Sequence, residues 1–502
     1  MMEKGKVWLV GAGPGDIGLF TLKGKEVLSK AEVVVYDSLV GDGVLAMIPR
    51  SARTIDVGKR AGNHTMPQEQ INQVLLEEAK KGYRVVRLKG GDPFLFGRGG
   101  EELELLSDNQ IPYEVVPGVT SPMAVPAYNG IPVTHRDFCS SVHIITGHKR
   151  AGKEYDINFK ALVDTKGTLV FLMGVTALPD ICRHLLEAGM DPDMPAAVLQ
   201  KGTTAGQKRI VATVATLEEE VKRQGVITPA IIVVGQVCSL AQRFEWAEKL
   251  PLFGKKIVVT RPKGLISKMA AKLRVQGAEV LELPAIETEA IKDNEKLAKA
   301  LEHLKDYQWL AFTSPTGVKV FFDEMIRLGK DLRSLGQIKI AAIGEGTKKA
   351  LKERGLIADL IPQVYDGASL GAELAKTCEE NDRILIPRAS LGNQEIMDVL
   401  AKRPDLKADD IPTYDTNYVS WNVIDEEAEF EKGEIDCVVF TSASTVKGFV
   451  EATKGLDYSK VTAACIGKQT KAAADQYNMK THMAKKAAID SVVDLVIELC
   501  NH

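Results

Sequence analysis

The chain has 502 residues, of which 45% are apolar and 26% are charged, and its formal net charge is -3 at neutral pH. This composition is typical of folded globular domains and excludes a generally disordered chain, and the nearly balanced charge argues against a protein that coats nucleic acid or another polyanion. The length predicts roughly three or four compact units.

The sequence contains no run of the roughly 18 apolar residues that a membrane-spanning helix requires. The first apolar run, residues 7–10, is too short for the core of a signal peptide. The seven cysteines are scattered and include no C-x-x-C pair, so we interpret them as small core residues rather than as disulfide partners or zinc ligands. We therefore expect a cytoplasmic protein with no membrane, nucleic-acid or metal partner.

Short β-branched runs alternate with longer amphipathic segments along most of the chain. The apolar spacing of residues 68–81 predicts a helix, and strands are predicted at 6–10, 32–36, 84–88, 168–173 and 230–234. Strands separated by helices indicate βαβ units, so the predicted fold class is α/β with mostly parallel sheets.

A domain boundary is predicted at residues 248–253. The charged stretch 243–250 has a helical pattern, and Pro251-Leu252-Phe253-Gly254 ends it before a strand predicted at 255–261. We therefore divide the chain into an N-terminal half (1–247), a linker (248–253) and a C-terminal half (254–502).

The C-terminal half contains an internal repeat. Phe312-Thr313-Ser314 and Phe440-Thr441-Ser442 are both followed, at the same offsets, by Val-Lys and then Phe. Farther along, Ile343-Gly344-x-x-Thr347-Lys348 recurs as Ile466-Gly467-x-x-Thr470-Lys471. Two motifs that recur in the same order predict two similar α/β units.

Two glycine-rich segments of the N-terminal half follow predicted strands. Residues 11–16 (G-A-G-P-G-D) are not a dinucleotide fingerprint, because Asp16 stands where a third glycine is needed and Pro14 lacks an amide donor. A tight turn without a ligand stays open for this segment. Residues 89–102 (K-G-G-D-P-F-L-F-G-R-G-G-E-E) follow a strand at its carboxyl end, where open α/β sheets bind ligands, and we interpret them as a binding loop.

Two further segments are typical of binding loops, V-P-G-V-T-S at 116–121 and G-I-P-V-T-H-R at 130–136. Arg136 can bind a carboxylate through two guanidinium nitrogens. His135 is compatible with a ligand contact and equally with a structural role.

These segments, together with V-V-V-Y-D (33–37) and G-K-R-A-G (58–62), occur in the order found in uroporphyrinogen-III C-methyltransferases, and the chain resembles this branch of the tetrapyrrole methylase family over roughly residues 5–245. The resemblance implies two α/β subdomains with S-adenosylmethionine in the cleft between them, usually in a homodimer. It also implies transfer of two methyl groups to uroporphyrinogen III, which gives precorrin-2. Displacement at a sulfonium methyl needs alignment in a dry cleft more than a nucleophilic side chain or a metal.

The resemblance also assigns residues, motif by motif. Asp37 matches the family's proton acceptor and Lys59 its proton donor, and a base is useful because the methylated carbon must lose a proton. Lys59 and Arg60 can equally hold substrate carboxylates, as can Arg136, and a capping or loop role stays open for Asp37. The family often has isoleucine at position 95 and alanine at position 121. The residues implied to hold the cofactor are Pro14, Gly90, Gly91, Asp92, Leu95, Thr120, Ser121, Met173, Gly202 and Ala230.

The C-terminal half resembles uroporphyrinogen-III synthase. The resemblance rests on the 256–261 strand and Pro262, the Thr-Ser turns of the repeat, residues 384–388 and P-T-Y-D-T at 412–416. It implies two flavodoxin-like units joined by a two-stranded hinge, with unit one at 254–286 plus 417–502 and unit two at 287–416. The implied reaction is cyclisation of hydroxymethylbilane with inversion of its last ring.

Hydroxyl and cationic groups at strand ends suit a substrate with eight carboxylates, although serine and threonine at such turns also cap helices. Tyr414 matches a tyrosine that the family uses to assist departure of the hydroxyl. The candidate substrate-binding residues are Arg261, Ser314, Thr347, Arg388, Thr441, Ser442 and Thr470.

The two resemblances support each other, because the product of the C-terminal reaction is the substrate of the N-terminal one. The sequence therefore predicts a bifunctional enzyme of sirohaem or cobalamin synthesis. One alternative is a methylase of a later corrin precursor, which the full G-K-R-A-G and G-R-G-G-E-E set argues against. The other is a nucleotide-binding regulatory protein, which Asp37 and Lys59 argue against.

Overall fold

The computed structural model describes residues 5–58, 66–148, 156–262, 268–419, 423–424 and 426–501. Lys59 and Arg60 lie outside the described residues, and so does the side chain of Arg261. The described strands form three sheets, two in the N-terminal half and one in the C-terminal half.

Sheet one is entirely parallel among its described pairs, in the order β3-β2-β4-β1-β5. Its strands are β1 (Lys6–Gly11), β2 (Val33–Tyr36), β3 (Arg53–Asp56), β4 (Arg84–Lys89) and β5 (Tyr113–Val116). Its helices are α1 (Leu22–Ser29), α2 (Asp42–Leu45), α3 (Gln68–Lys80), α4 (Gly99–Asp108) and α5 (Ser121–Tyr128), with a 3-10 turn at Ile17–Leu19. Because parallel strands end at one edge, the glycine-rich segments predicted to bind a ligand meet there.

Sheet two has the order β6-β7-β10-β8-β9. Its strands are β6 (Val142–Thr146), β7 (Thr168–Leu172), β8 (Pro195–Gln200), β9 (Lys208–Thr213) and β10 (Ala230–Val234). Its helices are α6 (Phe159–Asp164), α7 (Leu178–Glu187) and α8 (Leu217–Gln224). The expectation of mostly parallel sheets is wrong here, because β6 and β7 form the one parallel pair among the described strands of this sheet. The loop 201–207 between β8 and β9 is too short for a crossover, so these strands form a hairpin.

The segment before the linker is not the predicted helix. Residues 236–250 form 3-10 helices at Gln236–Leu240 and Ala247–Lys249, with turns between them. Side chains fix this segment against the N-terminal half, because Trp246 Nε1 donates to the Ala127 carbonyl at 3.0 Å and Glu248 pairs with Arg209 at 2.7 Å. These tertiary contacts override the helical pattern.

Sheet three has the order β14-β13-β15-β16-β12-β11-β17-β18-β19. Its strands are β11 (Lys256–Pro262), β12 (Glu279–Ala290), β13 (Trp309–Phe312), β14 (Lys339–Ala342), β15 (Arg383–Ala389), β16 (Lys407–Tyr418), β17 (Cys437–Phe440), β18 (Thr462–Cys465) and β19 (Lys480–Met483). Its helices are α9 (Lys268–Val275), α10 (Glu295–Glu302), α11 (Pro315–Arg327), α12 (Glu345–Lys352), α13 (Gly367–Thr377), α14 (Glu395–Leu400), α15 (Glu426–Glu431), α16 (Ala443–Ala452), α17 (Lys468–Asp475) and α18 (Ile489–Cys500). Shorter 3-10 turns lie at Leu304–Asp306, Leu332–Leu335 and Tyr458–Lys460.

The two long strands β12 and β16 link the two parallel parts of sheet three. The first part of β12 pairs in parallel with β11, and its end, residues 286–290, pairs antiparallel with residues 414–418 of β16. The first part of β16 pairs in parallel with β15. The carboxyl edges of the two parallel parts therefore face each other across this antiparallel link.

The internal repeat of the sequence is also a repeat of structure. The elements β13, α11, β14 and α12 follow one another on one side of the link, and β17, α16, β18 and α17 follow in the same order on the other.

The α/β fold class is confirmed. The seven cysteines are free thiols. Among the described helices, none has the length and apolarity needed to span a membrane.

The apolar core does not stop at the boundary between the halves. One cluster of buried side chains continues from sheet one and its helices, including Val44 and Ile48, to sheet three, including Leu281, Leu283 and Phe440. The two halves therefore share buried apolar surface, which is the main favourable contribution to their association.

Candidate active sites

A cleft of about 930 Å³ lies between the carboxyl edge of sheet one and the facing loops of sheet two, and residues of the C-terminal half, among them Lys256, Glu279 and Glu429, also line it. Asp37 lines it, at the end of β2. The predicted cofactor-binding residues that line it are Pro14, Gly90, Leu95, Ser121, Met173, Gly202 and Ala230. The structure thus brings together residues from seven separate sequence segments, whereas Gly91, Asp92 and Thr120 are outside the set of described residues that line the cleft.

Asp92 braces the loops of the cleft. Its carboxylate accepts hydrogen bonds from the amides of Phe94 at 2.8 Å and Leu95 at 3.2 Å, and from the amide of Gly118 at 3.0 Å. The loop after β4 is thereby tied to the loop after β5, which contains Thr120, the residue that precedes α5. A Cβ atom on Gly118 would lie 2.1 Å from the Gly91 carbonyl oxygen, so the two backbones meet at a distance that only glycine permits.

Several non-glycine residues around the cleft have left-handed backbone conformations. They are Phe96 with φ 54°, Met173 with φ 55° and Lys201 with φ 43°. All three line the cleft, and the Met173 side chain is 52% exposed although it is apolar. Residues held in such conformations tend to cluster at ligand sites, because the surrounding structure there determines where the side chain points.

A buried network of charges, which we call the Arg87 network, supports Asp37. The Arg87 guanidinium lies 3.2 Å from Asp37 Oδ2 and 3.2 Å from Glu102 Oε1, and the Lys89 ammonium lies 2.7 Å from Glu102 Oε1. The Leu39 amide donates to Asp37 Oδ1 at 3.1 Å. Asp37 is thus oriented from two sides, and its side chain is still 23% exposed toward the cleft.

Arg87 lies outside the segments predicted to bind a ligand, and Lys89 and Glu102 are the two ends of the predicted binding loop 89–102 without an individual role. A signal was present in β4, where two cations alternate with apolar residues in a strand that is buried after its first position. Buried cations need partners, so this pattern indicates a carboxylate nearby. Burial, and next the positive charge of Arg87, lower the pKa of Lys89, and the Glu102 carboxylate opposes that shift.

Arg136 and His135 lie in the turn before β6. Arg136 is exposed and is outside the set of described residues that line the cleft. His135 Nδ1 accepts from the Asp137 amide at 3.2 Å, and its ring lies 4.8 Å from that of Phe138. These contacts favour the structural reading of His135.

In the C-terminal half, Tyr414 lies in the antiparallel link between the two parallel parts of sheet three. Its hydroxyl is 2.8 Å from Ser314 Oγ, which also accepts from the Gly317 amide at 2.9 Å and so caps α11. Tyr414 is buried, and this burial raises the pKa of its phenol, although the Ser314 hydrogen bond lowers it. The hydrogen bond between Ser314 and Tyr414 therefore connects the carboxyl end of β13 in unit two to the part of β16 that forms the antiparallel link.

The remaining predicted residues of this half lie at strand ends or in first helical turns. Ser442 caps α16 by accepting from the Thr445 amide at 3.2 Å, and Thr441 precedes it. Thr347 and Thr470 occupy equivalent positions in α12 and α17 and are buried. The amino ends of these helices meet at the carboxyl edges of the strands, where anionic groups are favoured.

Arg388 is buried, and Asp410 engages its guanidinium. Nε donates to Asp410 Oδ1 at 2.6 Å, a second nitrogen donates to Asp410 Oδ2, and a third to the Asn393 carbonyl. Arg388 is 3% exposed, and Asp410 already pairs with the edge of the guanidinium that would otherwise hold a substrate carboxylate.

Comparison with known proteins gives two family matches along the chain. The family model for tetrapyrrole (corrin/porphyrin) methylases matches residues 6–218, and the model for uroporphyrinogen-III synthase matches residues 267–494. The porphyrin biosynthesis protein HemD of Ruminiclostridium josui is 49% identical over 99% of both chains. The uroporphyrinogen-III C-methyltransferase of Bacillus subtilis is 39% identical over 72% of this chain and 74% of its own.

Among solved structures, the uroporphyrin-III C-methyltransferase of Thermus thermophilus, complexed with S-adenosyl homocysteine, is 39% identical. It covers 47% of this chain and 99% of its own, with a TM-score of 0.41.

The fold and the two sites define a fusion of two enzymes that act on tetrapyrroles. The chain belongs to the tetrapyrrole methylases through its N-terminal half and to the uroporphyrinogen-III synthases through its C-terminal half. The family assignment and the enzyme class expected from the sequence are confirmed. The individual site residues stay predictions.

Proposed function

We propose that residues 254–502 cyclise hydroxymethylbilane to uroporphyrinogen III and that residues 1–247 methylate this product twice, with S-adenosylmethionine as the donor, to give precorrin-2. The observation that carries the proposal is the cleft, because segments that are far apart in sequence bring most of the predicted cofactor residues and Asp37 to one cavity. The porphyrin biosynthesis protein HemD of Ruminiclostridium josui aligns with 99% of the chain, so the two halves occur together in that relative as well.

The residues of the cleft fit the cofactor. Its volume is within the range of small-molecule sites. Glycines in two loops leave backbone groups accessible, and Leu95, Met173 and Ile231 provide apolar walls. Bound S-adenosylmethionine would supply an electrophilic methyl group at this position.

We assign proton acceptance to Asp37. Its carboxylate lines the cleft, and Arg87 and the Leu39 amide hold it in one orientation, as a positioned base requires. Lys59 remains the proposed proton donor, and Arg60 and Arg136 remain proposed contacts for substrate carboxylates. The hydrogen bonds to Asp92 fix the loops around the cleft, and this fixed geometry keeps the reacting atoms aligned.

In the synthase half we assign assistance of hydroxyl departure to Tyr414, whose phenol is protonated at neutral pH like any tyrosine and whose pKa burial raises further. Ser314 orients this phenol. Arg261, Thr441 and Ser442 are proposed to bind substrate carboxylates, with Thr347 and Thr470 shaping the helix ends. We further propose a homodimer formed through the methylase half and a cytoplasmic location.

The test supplies purified protein with hydroxymethylbilane, with and without S-adenosylmethionine, and identifies products by absorbance and mass. We expect uroporphyrinogen III alone without the cofactor and a dimethylated product with it. Cyclisation without methylation would leave the synthase assignment and point to a later corrin precursor as the methylase substrate. Cofactor binding with no turnover of either kind would favour a regulatory protein.

A further inference from the structure

Lys256, the first residue of β11, forms an ion pair across the two halves. Its ammonium lies 2.8 Å from Asp42 Oδ2 of the N-terminal half, 2.7 Å from Glu429 Oε2 and 3.6 Å from Glu279 Oε1. Lys256 is 5% exposed, whereas the side chains of Asp42, Glu279 and Glu429 are 32%, 29% and 14% exposed, so a buried cation is held by partly buried carboxylates. Removal of the cation would leave these like charges close together without a counter-charge.

Asp42 is close to the proposed base. It is the first residue of α2 and follows residues 37–41, which we call the Asp37 loop. Backbone hydrogen bonds run from the Val40 amide to the Asp37 carbonyl at 3.3 Å and from the Leu45 amide to the Gly41 carbonyl at 3.1 Å. The Asp37 loop and α2 are therefore joined by backbone hydrogen bonds into one compact segment.

The Asp37 loop has little room on its other side. A Cβ atom on Gly90 would lie 2.5 Å from Leu39 Cβ, so the Asp37 loop packs directly against the loop after β4. Lys256 thus holds one end of a segment whose middle touches the proposed cofactor loop. A shift at Asp42 would be transmitted to Asp37.

The C-terminal half also contacts the opposite wall of the cleft. Glu279 Oε2 accepts a hydrogen bond from the Ala205 amide at 2.7 Å, and Ala205 belongs to the loop between β8 and β9 that lines the cleft. Lys256 lies beside Glu279 and reaches the wall that carries Asp37. One edge of sheet three therefore connects both walls, which belong to different sheets of the methylase half.

The charge of Lys256 is secured by its neighbours. Burial, the largest single effect, lowers the pKa of Lys256, but the carboxylates of Asp42 and Glu279 and the hydrogen bonds to Asp42 and Glu429 raise it by more. The net pKa lies above its ordinary value, so the ion pair persists throughout the neutral range. Because its ammonium is already shared among carboxylates, Lys256 is not free to bind those of a substrate.

We propose that Lys256 is a positioning residue for methyl transfer, which acts through Asp42 to hold the Asp37 loop, so that the synthase half completes the methylase site. The inference rests on the proposed function of the N-terminal half. It predicts that a substitution in one enzyme alters the rate of the other without altering the first.

The experiment compares full-length wild type, Lys256→Met, Lys256→Arg and Asp42→Asn, with Lys272→Met as a control. Lys272 pairs with Asp490 inside the C-terminal half and is half exposed. Uroporphyrinogen III and S-adenosylmethionine are supplied for methylation, and hydroxymethylbilane alone for cyclisation. Each variant is characterised by kcat and by KM for both methylation substrates.

For Lys256→Met we expect methylation kcat to fall by about 10-fold, because a small displacement of a reacting group has large effects on rate. Both KM values should stay within about twofold of wild type. Cyclisation should be unchanged, Lys256→Arg should recover part of the rate, and Asp42→Asn should reproduce the defect. The control should match wild type in both assays.

Unchanged methylation kcat in Lys256→Met would overturn the inference. A rise in KM for uroporphyrinogen III alone would also overturn it, because Lys256 would then bind substrate. If Lys256→Met fails to fold, Asp42→Asn tests the same contact from the other half, and a normal kcat there is decisive against it. Wild type that does not methylate at all would instead reject the proposed function.

Discussion

The Arg87 guanidinium lies 3.2 Å from the Asp37 carboxylate and 3.2 Å from that of Glu102, so one buried cation joins the cleft to the interior of the methylase half. Glu102 in turn lies 2.7 Å from the Lys89 ammonium. The orientation of the proposed base, Asp37, therefore depends on the buried charges of Arg87, Lys89 and Glu102. Substitution of Asp37 tests the chemistry of the site, and substitution of Glu102 tests its stability.

The Asp37→Asn variant should methylate about 100-fold more slowly, which is typical for the loss of a positioned base. The amide keeps the shape of the side chain, so binding of S-adenosyl homocysteine should stay near wild type. Single-turnover rates and calorimetric titration check the two expectations. Loss of binding would indicate that Asp37 supports the structure of the cleft instead.

The Glu102→Gln variant should lose about 3 kcal/mol of stability, because the buried cations Arg87 and Lys89 lose a charged partner. The neighbouring Glu101→Gln is the matched control: its side chain is 49% exposed and pairs with Arg98 on the surface, so its change should stay within about 0.5 kcal/mol. Urea unfolding measures the change in the free energy of unfolding for both variants. Equal small changes would show that the Arg87 network contributes little to stability.

The Gly90→Ala variant should lose most cofactor affinity, because its Cβ atom would lie 2.5 Å from Leu39 Cβ and displace the loop that lines the cleft. Gly100→Ala, ten residues along, is the control. Apart from the adjacent backbone of its own helix, no described atom lies within 4 Å of a Cβ atom built there, and alanine is favourable in the first turn of α4. A normal dissociation constant for Gly90→Ala would contradict a cofactor contact at this loop.

The Tyr414→Phe variant should slow cyclisation by about 100-fold, the lower end of what proton transfer contributes, and leave methylation of supplied uroporphyrinogen III unchanged. Tyr418→Phe, four residues along the same strand and 44% exposed, is the control. Because burial raises the Tyr414 pKa above its ordinary value, wild-type cyclisation should not decline through ionisation of this phenol as the pH rises to about 9. An equal loss of methylation would argue against independent sites.

The two sites should exchange their shared intermediate through solution. The proposed synthase residues lie at the carboxyl edges of sheet three, whereas the residues of this half that line the methylase cleft include Lys256 and Glu279 at the amino ends of β11 and β12. The seven residues of β11 separate these edges by roughly 20 Å. When labelled hydroxymethylbilane is supplied with excess unlabelled uroporphyrinogen III, the methylated product should therefore carry the same low fraction of label as the mixed uroporphyrinogen III in solution. Retained label would demonstrate direct transfer.

Much of the architecture can be predicted from the sequence because its signals are local. Apolar periodicity predicts β4 and α3 to within a residue of their observed ends, and the recurrence of F-T-S and I-G-x-x-T-K predicts the two similar parts of sheet three. Glycine and proline segments that follow strands also predict where the cleft lies, because parallel strands end at one edge.

Only the tertiary structure decided the features that depend on contacts between distant residues. Sheet two is largely antiparallel, and residues 243–250 are held by Arg209 and Ala127 in place of forming a helix. Arg388 is engaged by Asp410 and not free at the strand end. Lys256 and Asp42 are 214 positions apart, and no local pattern indicates that they meet. Apolar periodicity indicates which face of an element is buried, whereas the packing of the sheets against one another determines which residue pairs with a buried charge.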